Sequence, residues 1–304
     1  MNDRQLKYIL TIAKEKNLTT AAQKLYISQP SLSSMLSTVE KQLGVKLFDR
    51  SVTPMMPTYA GEQFIETAEQ IVNAYSDLRR KIDDINNAMV GRLNVGCGPQ
   101  SSHMLIPKIL PPFINQYPGI QINLFEERRM SLEKKLISAD LDLIITTLGN
   151  SKNPNIEYIT LYQEELILIT SASSDVSLSP GPEEEDGYVD LKEVKDKPFV
   201  LMKSGHQLRM VIDKIFQDNG FMPKIILETD SWETCLLLTE VGSAYTVLPK
   251  PKINIMDNRC IKMFRIRPQY FREVCLCYRK GAYRSKIIDA FIDTALSFWR
   301  HYQS

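Results

Sequence analysis

The sequence predicts an α/β protein made of three successive parts: a helical head, a long helix and a pair of α/β lobes. Three observations carry this prediction. The apolar residues of 18–48 follow a helical period interrupted by a turn signal, and those of 64–89 follow a seven-residue repeat. From Gly91 onward, strand-like and helix-like segments alternate. With 304 residues, 43% apolar and 24% charged, the chain has the composition of a globular protein.

Residues 1–58 are predicted to form a winged helix-turn-helix domain. A first helix is followed by "AAQKL", which Thr19 or Thr20 can cap, and then by a helix that Ser28 caps, with Pro30 in its first turn. Gly44 is the signal that ends this last helix. Its buried face is predicted to comprise Leu32, Leu36, Val39 and Leu43. The stretch "VKLFDRSVTPMMPTYAG" supplies the wing, and in this layout the second helix of the motif enters the major groove of DNA.

Residues 59–89 are predicted to form one long helix that pairs with a second copy of the chain. Its apolar residues recur at alternating spacings of four and three, which is the heptad pattern of a coiled coil. The predicted seam comprises Phe64, Ala68, Ile71, Tyr75, Leu78, Ile82, Ile85 and Met89. The alternative is an ordinary amphipathic helix packed on its own domain. A dimer helix beside a DNA-binding head would place two heads on two half-sites.

Residues 90–304 are predicted to form an α/β domain of two lobes with a ligand cleft between them. The first lobe is assigned to about 91–161 and 269–304 and the second to about 162–268, so the chain crosses between the lobes twice. Small ligands commonly bind in a cleft of this kind. The acidic stretch 179–190 is predicted to be a solvated loop within the second lobe.

Composition excludes several classes of function. The sequence has no apolar run long enough to span a membrane and no signal peptide, so a cytoplasmic protein without a membrane partner is expected. Five scattered cysteines and only three histidines predict reduced, mostly buried thiols and no metal or other cofactor. Residues 1–60 carry eight Lys or Arg against four Asp or Glu, and this net charge of +4 agrees with a nucleic-acid-binding end.

The head carries an ordered run of motifs in "TTAAQKLYISQPSLSSMLSTVEKQLGVKLFDR" followed by "PTYAG". In its paired alanines, Ser-Gln-Pro, serine-rich helix, Leu-Gly, Leu-Phe-x-Arg and final Ala-Gly, the chain resembles the LysR-type transcriptional regulators. The segments "LIPKILPPFINQYPGIQINLFE" and "LDLII" extend the resemblance into the second half. The resemblance implies a winged helix-turn-helix head, a linker-helix dimer and a two-lobed co-inducer domain similar to periplasmic binding proteins.

The same resemblance implies the partners of the chain. They are double-stranded DNA with an interrupted dyad near a promoter, a small-molecule effector, and further copies of the chain in a dimer or tetramer. RNA polymerase is a further implied partner.

The candidate DNA contacts lie on the predicted recognition helix, on the helix before it and in the wing. Gln29 suits a hydrogen bond to adenine, and its alternative is a solvated helix-start residue. Arg50 could contact the DNA backbone or pair with Asp49 or Glu40. The full candidate set is Thr20, Gln29, Pro30, Ser31, Ser33, Ser34 and Arg50.

The chain departs from the family pattern on this surface. Ser34, Ser37 and Thr38 stand where relatives frequently carry basic residues, and the wing stretch "SVTPMMPT" has none. Fewer phosphate and guanine contacts are therefore expected. Gln29, water-mediated serine contacts and DNA shape should then carry more of the specificity, and binding should depend on the oligomer.

The candidate effector contacts lie where strand ends meet helix N-termini. The stretch "GPQSS" opens a helix whose free N–H groups could hold an anion. Arg129 could clamp a carboxylate, or could be an exposed residue at a helix start. Trp232 could stack on a ring or fill the lobe. The candidate set is Pro99, Gln100, Ser101, Ser102, Arg129, Thr146, Lys203, Ser204, His206 and Trp232, and a small carboxylate is the expected ligand.

Two other functions stay open at this point. The chain could be a ligand-binding protein whose helix-turn-helix contacts protein rather than DNA. It could also be a hydrolase that uses Ser204 and His206, although these are only two residues apart in one loop. Because the sequence carries no GxSxG, P-loop or GxGxxG motif, no catalytic residue is assigned.

Overall fold

A computed structural model of the chain describes residues 2–85, 89–148, 152–175, 188–250 and 260–303. The chain divides into two compact units. The first comprises residues 1–89 with the short segments 138–140 and 281–286, and the second comprises the rest. Most of the acidic stretch predicted as a solvated loop, residues 179–187, lies outside the described ranges. None of the helices within those ranges combines the length and apolar character that a membrane crossing requires.

The first unit begins with three helices, α1 (Asp3–Glu15), α2 (Leu18–Lys24) and α3 (Gln29–Leu43). Asn17 caps α2 by accepting hydrogen bonds from the N–H groups of Thr19 (2.8 Å) and Thr20 (3.1 Å). The prediction that Thr19 or Thr20 caps this helix is therefore wrong. Because Leu18 is the first helical residue, the two threonines occupy the positions whose amides need a cap, and they act as donors.

The signals at the two ends of α3 act as the sequence indicates. The Ser28 side chain accepts a hydrogen bond from the Ser31 N–H, and Gly44 ends the helix with a positive φ of 73°. Three of the four predicted core residues, Leu32, Leu36 and Val39, are buried.

Leu43 is 44% exposed, so its predicted burial is wrong. It is the last residue of α3, and the chain turns away at Gly44 directly after it. Leu47 and Phe48, which follow this turn, are buried instead and belong to the core of the head.

A short wing and a long helix complete the first unit. Strands β1 (Phe48–Asp49) and β2 (Met56–Pro57) pair in antiparallel orientation, and α4 (Tyr59–Ile85) follows. Gly61 lies in the first turn of α4, where an added Cβ would come within 1.9 Å of the Leu47 carbonyl oxygen. The helix can therefore approach the chain before the wing this closely only with glycine at position 61.

The second unit is built on a seven-stranded mixed sheet. At one end, β4 (Ile120–Glu126), β3 (Gly91–Cys97) and β5 (Leu143–Thr147) are neighbours in parallel orientation. Helices α5 (Pro99–Gln116) and α6 (Arg129–Ile137) connect them. β5 is buried along its whole length and β3 is buried from Val95 to Cys97, as expected for strands covered on both faces, whereas β4 lies at the edge of the sheet and is largely half-buried or exposed.

Two long strands carry the chain from one lobe to the other. β6 (Ile156–Ser171) and β11 (Ile261–Arg279) pair in antiparallel orientation along nearly their whole lengths. β11 contacts β7 (Tyr188–Val189) near one end and β5 near the other. The proposed lobe boundaries, at 161/162 and 268/269, thus fall inside two continuous strands.

The second lobe packs helices against short strands. A 3-10 turn (Leu191–Val194) precedes β8 (Pro198–Met202), which pairs in parallel with β9 (Lys224–Thr229). Between and after them come α7 (Gln207–Asp218), α8 (Trp232–Glu240) and β10 (Thr246–Pro249), which pairs with β6. The last helix, α9 (Lys286–Gln303), follows β11.

Candidate DNA interface and effector cleft

The outer face of α3 is open and carries small polar side chains. Gln29, Pro30, Ser31 and Ser34 are exposed, and Ser33 is half-buried. The Ser31 hydroxyl lies 2.7 Å from that of Ser28, so it also takes part in the helix cap. The structure thus brings five of the seven candidate DNA contacts together on the first two turns of one helix.

Thr20, the candidate DNA contact on α2, is placed less favourably than the residues of α3. Its side of α2 is exposed, but its backbone N–H is already bonded to the Asn17 side chain. An amide that is satisfied in this way is a weaker candidate for holding a phosphate than the sequence suggested.

A buried carboxylate ties the wing to the recognition helix. Glu40, on α3, is 3% exposed and accepts hydrogen bonds from the Leu47 N–H (3.0 Å), the Phe48 N–H (3.4 Å) and Lys46 Nζ (3.0 Å). Burial raises the pKa of this carboxyl, but the hydrogen bonds from Lys46 and the two amides, with the charge on Arg50, outweigh it and leave the pKa lowered. Glu40 therefore stays ionised at neutral pH.

Arg50 is held by the same carboxylate. Its NH2 group lies 3.3 Å from Glu40 Oε2 and 3.3 Å from Ser37 Oγ, and its NH1 group lies 3.4 Å from Ser33 Oγ. Arg50 therefore lies along α3 beside the serine face and pairs with Glu40 rather than Asp49. In the sequence analysis, Glu40 entered only as one possible partner of Arg50. Its position four residues after the buried Leu36 was the signal for a carboxylate on the core face.

The apolar stripe of α4 divides into two parts. Phe64 packs against the core of the head and Ala68 is buried. The next five positions are exposed apolar side chains, between 45% and 78% accessible: Ile71, Tyr75, Leu78, Ile82 and Ile85. Met89 lies beyond the helix, after residues 86–88, which are outside the described ranges.

In the second unit, the start of α5 offers fewer candidate groups for holding an anion than the sequence suggested. Gly98 precedes the helix and Pro99 is its first residue. The Ser102 side chain is buried and its N–H donates to the Gly98 carbonyl at 2.8 Å, so that amide serves the helix itself. Gln100 and Ser101 are half-buried and remain the candidates at this helix end.

The side chain of Arg129 is largely buried, and its guanidinium already has partners within the protein. Its side chain is 11% exposed and forms an ion pair with Glu133 one turn further along α6. Its NH1 group also donates to the Thr147 carbonyl at 3.2 Å, which ties α6 to the end of β5. Thr146, its neighbour in β5, is buried within the sheet.

Lys203, His206 and two residues that the sequence analysis passed over form one charged cluster. The carboxylate of Asp230, which follows β9, lies 2.7 Å from Lys203 Nζ and 2.6 Å from His206 Nε2. Arg128, which follows β4 in the first lobe, places NH2 3.1 Å from the same carboxylate. Hydrogen bonds from Lys203 and then His206 lower the pKa of Asp230 to about 2. Ser204, in the same loop as Lys203, is exposed.

The sequence did contain a signal that could have singled out Arg128 and Asp230. Arg128 and Asp230 each lie in the short segment between a strand and the following helix, the same kind of position that singled out Arg129 and Trp232. What the sequence could not show is that Arg128 and Asp230 come into contact.

Trp232 fills the second lobe. It is 9% exposed and belongs to the core cluster of that lobe. The guanidinium of Arg272 lies 5.2 Å from the centre of its ring, and Arg272 is itself paired with the buried Glu164. The first of the two sequence interpretations, stacking on a ligand, thus gives way to packing.

Within the described ranges, no group of three or more His, Cys, Asp or Glu side chains is arranged to hold a metal ion. Four of the cysteines are buried, and burial raises the pKa of each thiol. Cys260 is exposed.

A wing-and-helix head, a long helix with an exposed apolar stripe and a two-lobed α/β unit define a DNA-binding regulator with a ligand domain. Comparison with known proteins agrees with this class. Residues 4–62 match the bacterial regulatory helix-turn-helix proteins of the lysR family, and residues 86–300 match the LysR substrate binding domain. The chain belongs to the LysR family of transcriptional regulators.

Individual relatives cover nearly the whole chain. The HTH-type transcriptional regulator YybE of Bacillus subtilis, whose function is uncharacterized, is 27% identical over 96% of this chain and 97% of its own. A hydrogen peroxide-inducible genes activator of Dickeya chrysanthemi is 26% identical over 93% and 90%. A full-length OxyR variant from Pseudomonas aeruginosa is 23% identical and superimposes with a TM-score of 0.71, covering 97% of this chain and 94% of that one.

Proposed function

We propose that this regulator binds a promoter dyad as a dimer or tetramer through the outer face of α3, and that a small anion bound between the two lobes changes its action there. The observation that carries the proposal is the exposed serine and glutamine face of α3, which Glu40 links to the wing. In a winged helix-turn-helix, this is the helix that enters the major groove. RNA polymerase is the partner that a regulator at a promoter would affect.

The chemistry of this face points to a particular mode of recognition. Gln29, at the helix start, is suited to pair with adenine. Ser31, Ser33 and Ser34 suit contacts to phosphates or bridging waters. Because Arg50 is shared with Glu40, it contributes less free positive charge than an unpaired wing arginine would. A dimer or tetramer therefore has to supply much of the affinity.

A gel-shift titration of the full chain on its own upstream intergenic DNA tests this proposal. We expect specific binding that survives competition by bulk DNA and weakens as salt rises, since phosphate contacts release counterions. Binding that disappears with competitor at every salt concentration would instead favour a helix-turn-helix used for protein contact.

In the second unit, we propose that effector binding changes the angle between the lobes and thereby the arrangement of subunits on DNA. β6 and β11 are the elements through which such a movement would pass, since both strands continue from one lobe into the other. The ligand would shift a population between two assemblies, to the extent that it binds one of them more tightly.

Two other activities find less support. The relative from Dickeya chrysanthemi is named for induction by hydrogen peroxide, but in this chain the four thiols other than the exposed Cys260 are buried with raised pKa values, which disfavours a reactive thiolate at those four positions. A hydrolase would require a base beside its nucleophile. Within the described part of the chain, Ser204 makes no hydrogen bond to His206, whose Nε2 is engaged by Asp230. We therefore propose a regulator without catalytic activity.

A further inference from the structure

The carboxylate of Asp230 joins the two lobes. Its Oδ1 lies 2.6 Å from His206 Nε2 and 3.1 Å from Arg128 NH2, and its Oδ2 lies 2.7 Å from Lys203 Nζ. Lys203 and His206 belong to the second lobe, as Asp230 does, whereas Arg128 belongs to the first. We name Arg128, Lys203 and His206 the basic cluster.

The basic cluster carries more positive charge than Asp230 can neutralise. Arg128 and Lys203 are both charged at neutral pH, and Asp230 supplies a single negative charge. One positive charge therefore remains even when His206 is neutral. Such an excess of positive charge between the two lobes attracts anions.

Asp230 is also held in a way that allows exchange. The side chains of Arg128, Lys203 and Asp230 are 68%, 52% and 46% exposed. Ion pairs at this degree of exposure contribute little stability, because water and salt screen them. The three basic groups can therefore give up this carboxylate for another anion at small cost.

Protonation does not release the basic cluster under physiological conditions. The pKa of Asp230 is lowered to about 2, so the carboxylate is ionised throughout the range in which a cell operates.

We propose that Asp230 is an internal counter-ion, which occupies the basic cluster until the acid group of the effector displaces it, and that it makes the cleft select dianions. The inference rests on the proposed function, in which the cleft binds a small anion, and it names the chemical class of that ligand. A dianion can neutralise the positive charges of both Arg128 and Lys203. A monoanion supplies only the single negative charge that Asp230 already provides. A dicarboxylate and a phosphate monoester share this chemistry.

The test is isothermal titration of the full chain with malonate, glycerol 3-phosphate and acetate at constant ionic strength and pH 7.5. We compare the wild-type chain with Asp230→Asn and with Asp218→Asn. Asp218 pairs with Lys214 on α7, so its replacement makes the same charge change away from the basic cluster. We expect Asp230→Asn to bind at least one of the two dianions about tenfold more tightly than Asp218→Asn does. Acetate should gain at least as much, because it no longer has to displace Asp230, so only the wild-type chain should discriminate strongly against it.

A double variant checks that the gain arises in the basic cluster. Adding Lys203→Gln to Asp230→Asn should abolish the tighter binding. Whichever dianion gains more identifies the source, carboxylate or phosphate, and either result supports the inference. Equal affinities in Asp230→Asn and Asp218→Asn would overturn it, as would a gain that persists without Lys203 or a wild-type chain that binds acetate as tightly as the dianions.

Two controls keep these outcomes interpretable. The thermal unfolding midpoints of the variants should match the wild type, and Asp230→Ser provides a second substitution if Asp230→Asn does not fold. A gel shift on the same preparations separates the two proposals. DNA binding without the dianion effect contradicts the inference alone, whereas loss of specific DNA binding by the wild-type chain contradicts the proposed function.

Discussion

Glu40 is a buried carboxylate in the head. Its four partners all lie in the short segment from Lys46 to Arg50, which leads from α3 into the wing. It accepts bonds from two backbone amides and pairs with Lys46 and Arg50. A buried acid with this many donors is costly to neutralise, since its removal leaves amides and charges without a partner. Glu40 thus positions the wing relative to the recognition helix.

We expect Glu40→Gln to lower the free energy of unfolding by about 1–3 kcal/mol, because one amide cannot replace both oxygens of the carboxylate. Equilibrium urea denaturation of the full chain measures the change. Glu66→Gln, at an exposed position of α4, provides the matched control. Equal effects of the two substitutions would contradict the role assigned to Glu40.

The same carboxyl gives the stability a pH dependence of known sign. The pKa of Glu40 is lowered from its ordinary value of 4.5 by folding. Its contribution is therefore complete above pH 4.5 and is lost as pH falls through the lower, folded value. The difference in stability between wild type and Glu40→Gln should accordingly shrink in acid.

Gln29 is the residue whose side chain is best suited to read a base. We expect Gln29→Ala to lose about 1–3 kcal/mol of preference for adenine at one position of the footprint, while binding to unrelated DNA stays the same. Base substitutions within the footprinted site, compared by gel shift, measure this. Gln42→Ala, an exposed glutamine near the other end of α3, should leave the preference intact. A uniform loss on all sequences would instead assign Gln29 to the phosphate backbone.

At the scale of elements, the main feature is the row of apolar side chains that α4 leaves exposed. Five apolar side chains follow one another along the stripe from Ile71 to Ile85. Exposed patches of this kind mark contact surfaces, and the heptad spacing favours a second helix of the same sequence as the partner.

We expect Leu78→Glu to convert the oligomer to a smaller species at micromolar concentration, because a charge in the seam would be buried without a partner. Light scattering coupled to size exclusion measures the mass. Gln70→Glu adds the same charge on the same helix at an exposed position outside the stripe and should leave the mass unchanged. An unchanged mass for both variants would place the seam elsewhere.

Local signals explain how much of this architecture could be predicted. α3 is bounded by Ser28, Pro30 and Gly44, whose effects act within one turn, and its position followed from the sequence. The burial of Leu43 and the cap of α2 were misjudged, both at helix ends, where a shift of one or two residues changes which group donates, accepts or is buried. The contact of Arg128 with Asp230 could not be predicted, since it depends on how two distant segments of the chain meet.

At the scale of the whole molecule, the two units face different demands. The head has to keep the wing and α3 in one geometry, and buried bonds around Glu40 serve that end. The larger unit combines continuous strands, β6 and β11, with the exposed ion pairs of Arg128, Lys203 and Asp230. Under the two proposals above, rigid packing serves DNA recognition and weak ion pairs serve the response to a ligand.

In the predicted dimer, the divided stripe of α4 sets the rotational angle between each head and the seam formed by Ile71 to Ile85. Phe64 packs into the head, and from Ile71 the same row of side chains is exposed on a single helix. One residue inserted after Ala68 would turn the seam by about 100° relative to the head. Seven inserted residues would restore the phase to within about 20° and lengthen the helix by about 10.5 Å. The number of residues between Phe64 and Ile71 therefore determines which faces of the DNA duplex a pair of heads can reach.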